Sequence, residues 1–234
     1  VVTATLSDGT SGEGGPFEVT NGDLAKATVD IAGISTLTAG DPLDLTVEAF
    51  DTWDNPYAVQ AVSSVDMYDK SGEVVAEPVA LDGSGVGSLR LRPTMAWVAN
   101  QLDAYDGAAL LGRSPAFDVT AGTVLELGVD LPRTWVEVGE DIDVSVTAED
   151  AYGNAVPSFV GTVTLSSDQG AAEDVTTSAF TDGVAVTQMQ WDQVALQDSV
   201  TADGSGLSGV SAAVDAAEVC SGTGPTASLE IGGD

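Results

Sequence analysis

One segment of the chain returns about a hundred residues further on, and this internal repeat restricts the possible folds more than any other feature. The run Gly40–Ala49, GDPLDLTVEA, matches Gly139–Ala148, GEDIDVSVTA, and Phe17 before it aligns with Phe117. A period of this size is the length of a small domain and not of a solenoid turn. The 234 residues therefore predict two tandem domains, at 21–120 and 121–217.

Both ends of the chain fit the same frame. Residues 1–20 resemble the close of a preceding unit, since the turn pair Asp8-Gly9 parallels Asp106-Gly107. Residues 218–234 are interpreted as a linker and the start of a following unit, which Ala227–Ile231 opens. The first 20 residues are thus either terminal strands of a preceding unit or a segment exchanged with another copy by strand addition.

Within each repeat the apolar residues recur with a period of two, which is typical of strands with one buried face. Gly and Asp clusters separate these strands, as in a sandwich or barrel. No helical period is sustained, and only Met95–Leu102 is ambiguous. The predicted strands are Leu43–Phe50, Val65–Tyr68, Val74–Leu81, Val86–Leu91, Ile142–Ala148, Val160–Leu165, Val184–Met189 and Val194–Ala202.

The charge of the chain is extreme, with 37 acidic and 6 basic side chains, no histidine and a net charge of −31. Such a chain repels nucleic acid and anionic membrane surfaces, so neither is expected as a partner. High salt would screen the charge, and divalent cations would neutralise part of it. A role in solubility alone is equally compatible with this composition.

The single cysteine, Cys220, excludes an internal disulfide. It is either a free thiol or pairs with a cysteine elsewhere. No run of 18 apolar residues occurs, so we expect no direct membrane insertion in this segment.

A motif in the second repeat resembles a known domain family. The segment Asp150–Pro157, DAYGNAVP, followed by Gly161–Ser166, GTVTLS, is similar to bacterial immunoglobulin-like domains of the invasin and intimin kind. Asp51–Pro56 is a degenerate copy in which Asp54 replaces glycine. The resemblance covers roughly residues 22–214. It implies an all-β chain of tandem immunoglobulin-like β-sandwich domains, found in extracellular adhesins, secreted surface proteins and filament or layer components.

Catalysis has little support in the sequence. The absence of histidine removes the commonest general base and excludes Ser-His-Asp and Cys-His sites. Pairs of carboxylates hydrolyse glycosides in some enzymes, but acids scattered over strands and turns give no particular pair. We expect that the chain is not an enzyme.

Calcium is the one cofactor for which the sequence offers ligands, because it prefers carboxylate and carbonyl oxygens. The candidate ligands are Asp51, Asp54 and Asn55 in the first repeat, and Asp150 and Asn154 in the second. The alternative is structural: an aspartate at a strand end accepts hydrogen bonds from turn amides two residues on, and Gly and Asn tolerate positive φ. No other cofactor is expected.

Three functions remain open from the sequence. The first is a non-enzymatic extracellular structural module, a stalk or a subunit of a surface fibre or layer in a prokaryote. Its partners would be neighbouring copies or adjacent domains of the same long chain. The second is an adhesin module that binds carbohydrate or protein, for which the four tryptophans would supply an exposed platform; packing in the core is the default for each. The third is an accessory domain of a large secreted enzyme.

Overall fold

The computed structural model describes residues 3–5, 7–15, 20, 22–57 and 63–218, and these residues form strands and turns. Within these ranges no helix is long and apolar enough to cross a membrane. The features predicted at Phe17, Cys220 and residues 219–234 lie outside the described residues. A hairpin opens the chain, with strands β1 (Thr3–Thr5) and β2 (Ser11–Glu13).

The chain divides into two compact units, residues 1–120 and 121–234. In the first unit ten strands follow the hairpin: β3 (Leu24–Asp30), β4 (Thr36–Thr38), β5 (Leu43–Asp51), β6 (Ser63–Asp69), β7 (Glu77–Leu81), β8 (Val86–Leu91), β9 (Trp97–Asn100), β10 (Leu102–Asp106), β11 (Ala109–Arg113) and β12 (Phe117–Thr120). The second unit has β13 (Glu126–Asp130), β14 (Trp135–Glu137), β15 (Asp141–Glu149), β16 (Thr164–Ser167), β17 (Val175–Thr176), β18 (Val184–Gln190), β19 (Ala195–Asp198), β20 (Val200–Gly204), β21 (Leu207–Val210) and β22 (Val214–Ala217).

The sheets of the two units have the same strand order. The first unit contains β3-β5-β8, β11-β10-β6-β7 and β4-β12-β9. The second contains the equivalent β13-β15-β18, β17-β16-β20-β21 and β14-β22-β19. Sequential strands thus alternate between sheets instead of pairing only with their chain neighbours, which is the arrangement of an immunoglobulin-like β-sandwich. The predicted fold class is therefore confirmed.

Each unit has its own hydrophobic core, which follows from the period of two. In β5 every second side chain from Leu43 to Ala49 is buried, and β15 does the same from Ile142 to Ala148. Burial of one such aliphatic side chain contributes about 1.5–3 kcal/mol. The largest fully buried side chains are Phe117 in the first unit and Trp191 in the second.

An early strand of each unit pairs in parallel with its last strand. In the first unit β4 lies parallel to β12, with Leu37 opposite Val119. The amide of Asp118 donates to Ser35 O at 2.9 Å, and that of Ala39 donates to Thr120 O at 2.8 Å. The second unit repeats this pair with β14 and β22, where Asp215 N donates to Thr134 O at 2.9 Å and Val138 N to Ala217 O at 3.0 Å.

The single strand predicted over Val194–Ala202 is wrong, because the chain forms β19 and β20 with a break at Ser199. Gln197 has a φ of 54°, and its amide donates to the Asp215 side chain at 2.7 Å. The Ser199 amide donates to the Asp198 carboxylate at 2.9 Å. Side chains thus take amides that a continuous strand would give to its neighbour. The ambiguous segment Met95–Leu102 contains β9.

Two further strands are shorter than predicted. Val74 precedes β7 in a turn, because its amide donates to the Asp69 carboxylate at 3.1 Å. Val160 precedes β16, which begins at Thr164. Just before that strand the Val163 amide donates to the hydroxyl of Thr177 at 3.1 Å instead of to a neighbouring strand.

Candidate functional site

The motif residues singled out in the sequence form one loop in each unit, and we call these the aspartate loops, residues 51–55 and 150–154. In the first loop Asp51 ends β5 with its side chain fully buried. Its carboxylate accepts the amides of Trp53 at 2.8 Å and Asn55 at 2.9 Å, and the Asn55 side-chain Nδ2 at 2.9 Å. A fourth donor comes from far along the chain: the Gly22 amide, at 2.9 Å.

The second aspartate loop reproduces this arrangement. Asp150 follows β15, is buried, and accepts the amides of Tyr152 at 2.8 Å and Asn154 at 3.0 Å. The Asn154 Nδ2 lies 2.9 Å from Asp150 Oδ2. The Gly122 amide donates to the same oxygen at 2.8 Å. Each aspartate therefore closes its own turn and also holds the segment by which the chain enters the unit.

These donors stabilise the ionised form of both aspartates. The pKa of Asp51 falls from 3.8 to about 2, mainly because the Asn55 side chain donates to the carboxylate and secondly because the Gly22 amide does. Burial raises the pKa of Asp150, but the hydrogen bonds from Asn154, Gly122 and Tyr152 outweigh it and leave the pKa below 3.8. Both carboxylates are therefore charged at neutral pH.

The proposed calcium ligands are brought together only in part. Asp54 has a φ of 67°, is exposed and pairs with Lys26. The side chains of Asn55 and Asn154 direct their amide nitrogens at the aspartates, whereas calcium requires oxygen ligands. In the part of the chain that the structure describes, no three His, Cys, Asp or Glu side chains are grouped to hold a metal. Calcium binding at these loops stays a prediction, and the ion would have to displace the donors.

The turn chemistry expected from the motif is confirmed for the aspartates and for Gly153, but neither Asn55 nor Asn154 has a positive φ. The carboxylate of each aspartate accepts the amide two residues on, from Trp53 and Tyr152. The left-handed conformation falls on Asp54 and on Gly153, with φ values of 67° and 78°. Aspartate tolerates this region better than most residues, so the replacement of glycine in the first repeat is compatible with the same turn.

A second polar site is a buried carboxylate that the sequence analysis missed. Asp198 Oδ2 accepts the Ser167 hydroxyl at 2.7 Å and Trp191 Nε1 at 2.9 Å, and Oδ1 accepts two backbone amides. Asn100 occupies the equivalent place in the first unit and likewise accepts two amides. Because every oxygen of Asp198 is occupied by a fixed donor, the group organises the core and is not poised for chemistry.

The tryptophans divide between core and surface. Trp191 is 0% exposed, as expected for core packing, but Trp53 is 73% exposed at the tip of the first aspartate loop. Tyr152 takes the matching position of the second loop and is 51% exposed. Trp97 and Trp135 are also exposed. Three of the four tryptophans thus remain available for contacts with other molecules.

Comparison with known proteins gives likenesses of fold. No protein family and no curated protein matches the sequence. Among solved structures, the chain is similar to the Escherichia coli adhesin FdeC, with 16% identity, a TM-score of 0.41, and coverage of 86% of this chain and 66% of that one. It is similar to invasin, a bacterial integrin-binding protein, with 14% identity, a TM-score of 0.36, and coverage of 82% and 39%.

A β-glycosidase from Bacteroides vulgatus also matches, with 11% identity, a TM-score of 0.36, and coverage of 80% of this chain and 25% of the enzyme. The chain therefore spans two thirds or less of each of these structures. These likenesses concern the fold alone and extend to neither a ligand nor an activity.

Proposed function

We propose that this chain is a non-enzymatic extracellular structural module of a prokaryotic surface protein, part of a stalk or surface fibre whose units carry tension. Two features that both units share support the proposal most strongly: the aspartate loop and the parallel strand pair. Both units repeat the aspartate loop that holds the entering chain, through Gly22 and Gly122, and both repeat the parallel pair that ends the unit.

The parallel pairs suit a chain that is pulled by its ends. Tension draws β4 toward the start of the first unit and β12 toward its end, so the two strands slide along each other. Because the strands are parallel, their cross-strand hydrogen bonds share the force and must break together. In an antiparallel hairpin pulled open from its ends, the bonds would break one at a time. The same reasoning applies to β14 and β22.

The net charge supports a role in which copies of the chain do not assemble with one another. A net charge of −31 makes copies repel one another, and salt or divalent cations weaken that repulsion. Light scattering after size-exclusion chromatography, first with calcium and then with chelator, tests the proposal. A monomer in both conditions is the expected result. Multimers that form with calcium and dissociate with chelator would contradict a passive stalk and indicate an assembly subunit.

A binding module is the second candidate, favoured by the aromatic tips of the aspartate loops. Trp53 and Tyr152 are exposed at matching positions, and exposed aromatic rings are common contacts for sugars and protein partners. A glycan array together with Trp53→Ala as a matched variant would test it. Binding that the variant loses would support an adhesin role, and an array without any signal would oppose carbohydrate recognition.

A further inference from the structure

The hairpin formed by β1 and β2 shares a feature of its ladder with the hairpin formed by the eighth and ninth strands of each complete unit, β10–β11 and β20–β21. In every case an alanine lies opposite a glycine within the ladder. The three pairs are Ala4 with Gly12 in β1–β2, Ala104 with Gly112 in β10–β11, and Ala202 with Gly209 in β20–β21. The first two pairs are also separated by the same hundred residues as the repeat itself.

In the two complete units this glycine is required by packing. A Cβ atom on Gly112 would lie 1.9 Å from the carbonyl oxygen of Ala27 in β3. A Cβ atom on Gly209 would lie 1.8 Å from the carbonyl oxygen of Leu127 in β13. These separations leave no room for a side chain, so the hairpin lies directly against the backbone of the first strand of its unit.

Gly12 has no such neighbour among the residues that the structure describes. None of their heavy atoms, apart from those of its immediate chain neighbours, lies within 4 Å of a Cβ built on Gly12. Strands β1 and β2 form a two-stranded sheet of their own, and β2 is exposed along its length. An isolated two-stranded hairpin is at best marginally stable in water. The hairpin therefore carries the glycine of a packed unit without the strand that makes this glycine necessary.

We propose that the hairpin of β1 and β2 is the last hairpin of a further β-sandwich unit, whose other strands come from polypeptide N-terminal to Val1. Gly12 then lies against a main-chain carbonyl of that unit's first strand, as Gly112 and Gly209 do in theirs. A second copy of this chain is not the occupant, because β10–β11 and β20–β21 already fill the corresponding positions in both units. This inference rests on the fold and is independent of the proposed stalk function.

Hydrogen exchange measured by mass spectrometry tests the inference on two chains: residues 1–234, and the longer natural polypeptide that includes the residues before Val1. We expect the amides of β1 and β2 to exchange on the order of 100-fold more slowly in the longer chain, because packing into a unit protects them from local opening. Equally fast exchange in both chains would overturn the proposal.

A substitution at Gly12 separates packing from mere proximity. In the longer chain Gly12→Val should remove the protection and lower the melting temperature of one unit, and Gly12→Ala should do so more mildly. In residues 1–234 Gly12→Val should leave both units unchanged, whereas Gly112→Val, the positive control, should destabilise the first unit. A longer chain indifferent to both Gly12 variants would refute the proposal. So would multimers of residues 1–234 that Gly12→Val dissociates, since these would assign the hairpin to exchange between copies.

Discussion

Replacing Asp150 by alanine would show how strongly an aspartate loop stabilises its unit. The substitution removes the acceptor of three backbone amides and of the Asn154 side chain. A buried donor left without an acceptor costs about 1–3 kcal/mol. Tyr152 is the most exposed of the three donor residues, so we expect Gly122 and Asn154 to account for most of the loss. We expect Asp150→Ala to lower the free energy of unfolding by about 3–4 kcal/mol, or roughly 15–25 °C in Tm for a domain of this size.

Tryptophan fluorescence can follow this change in the second unit alone. Trp191 is fully buried there, so its emission shifts to the red when that unit unfolds in urea, whereas the other tryptophans are already exposed. Asp143→Ala is the matched control, because Asp143 is an exposed acid on the outer face of β15. If the urea midpoint falls no further for Asp150→Ala than for this control, the hydrogen bonds of Asp150 do not stabilise the second unit.

The same assay separates a hydrogen-bonding role of Asp150 from calcium binding. If the amides alone hold the carboxylate, a chelator leaves the stability of the wild-type chain unchanged. If calcium is the partner, the chelator destabilises the wild type by as much as the alanine substitution does, and the variant no longer responds to it.

Three other predictions follow from the charges and the buried network. The pKa of Asp51 is about 2 in the folded unit and 3.8 in the unfolded chain. Between these two pH values the unfolded state binds more protons, so acid favours unfolding. Urea titrations should therefore show the stability of the first unit falling as the pH drops from about 4 to 2. Burial, and secondly the charge of Glu126, raise the pKa of Glu149, so the charge of Glu149 destabilises the second unit. Glu149→Gln should therefore stabilise this unit by about 0.5 kcal/mol at neutral pH, and the gain should vanish once acid protonates Glu149. A loss of stability at neutral pH would contradict this prediction. Asp198→Ala leaves the buried Trp191 Nε1 without an acceptor and should lower the free energy of unfolding, measured by thermal unfolding, by about 3 kcal/mol. A loss below about 1 kcal/mol would mean that water replaces the carboxylate.

Much of the fold follows from patterns that the sequence displays directly. The alternation of apolar and polar residues in Ile142–Ala148 predicts β15 to within one residue at either end, because only a strand with one buried face places every second side chain in the core. The alternation does not predict the break between β19 and β20. This break arises because the Asp198 and Asp215 side chains accept the amides of Ser199 and Gln197, and an alternating pattern does not show such hydrogen bonds.

The candidate site was located by sequence but not explained by it. The motif identified Asp51 and Asp150 correctly as turn residues. Their longest-range partners, Gly22 and Gly122, precede them by almost thirty residues, and the repeat alone does not reveal that glycine and aspartate meet. Residue types alone also suggested oxygen ligands from Asn55 and Asn154. Only the geometry reveals that both side chains present a donor, so the lone pairs of the aspartates are already occupied.

Pulling a single molecule by its two ends tests whether these units carry tension. We predict two discrete unfolding events, each releasing a unit of about 100 residues and hence roughly 300 Å of chain. Val138→Pro removes the amide that donates to Ala217 beside β14–β22, and it should lower the force of one event. Met189→Ala, which weakens the core without touching that pair, should change the force less at equal loss of stability. Gradual extension without discrete events, or an unfolding force that Val138→Pro leaves unchanged, would mean that the parallel strand pairs do not carry the tension.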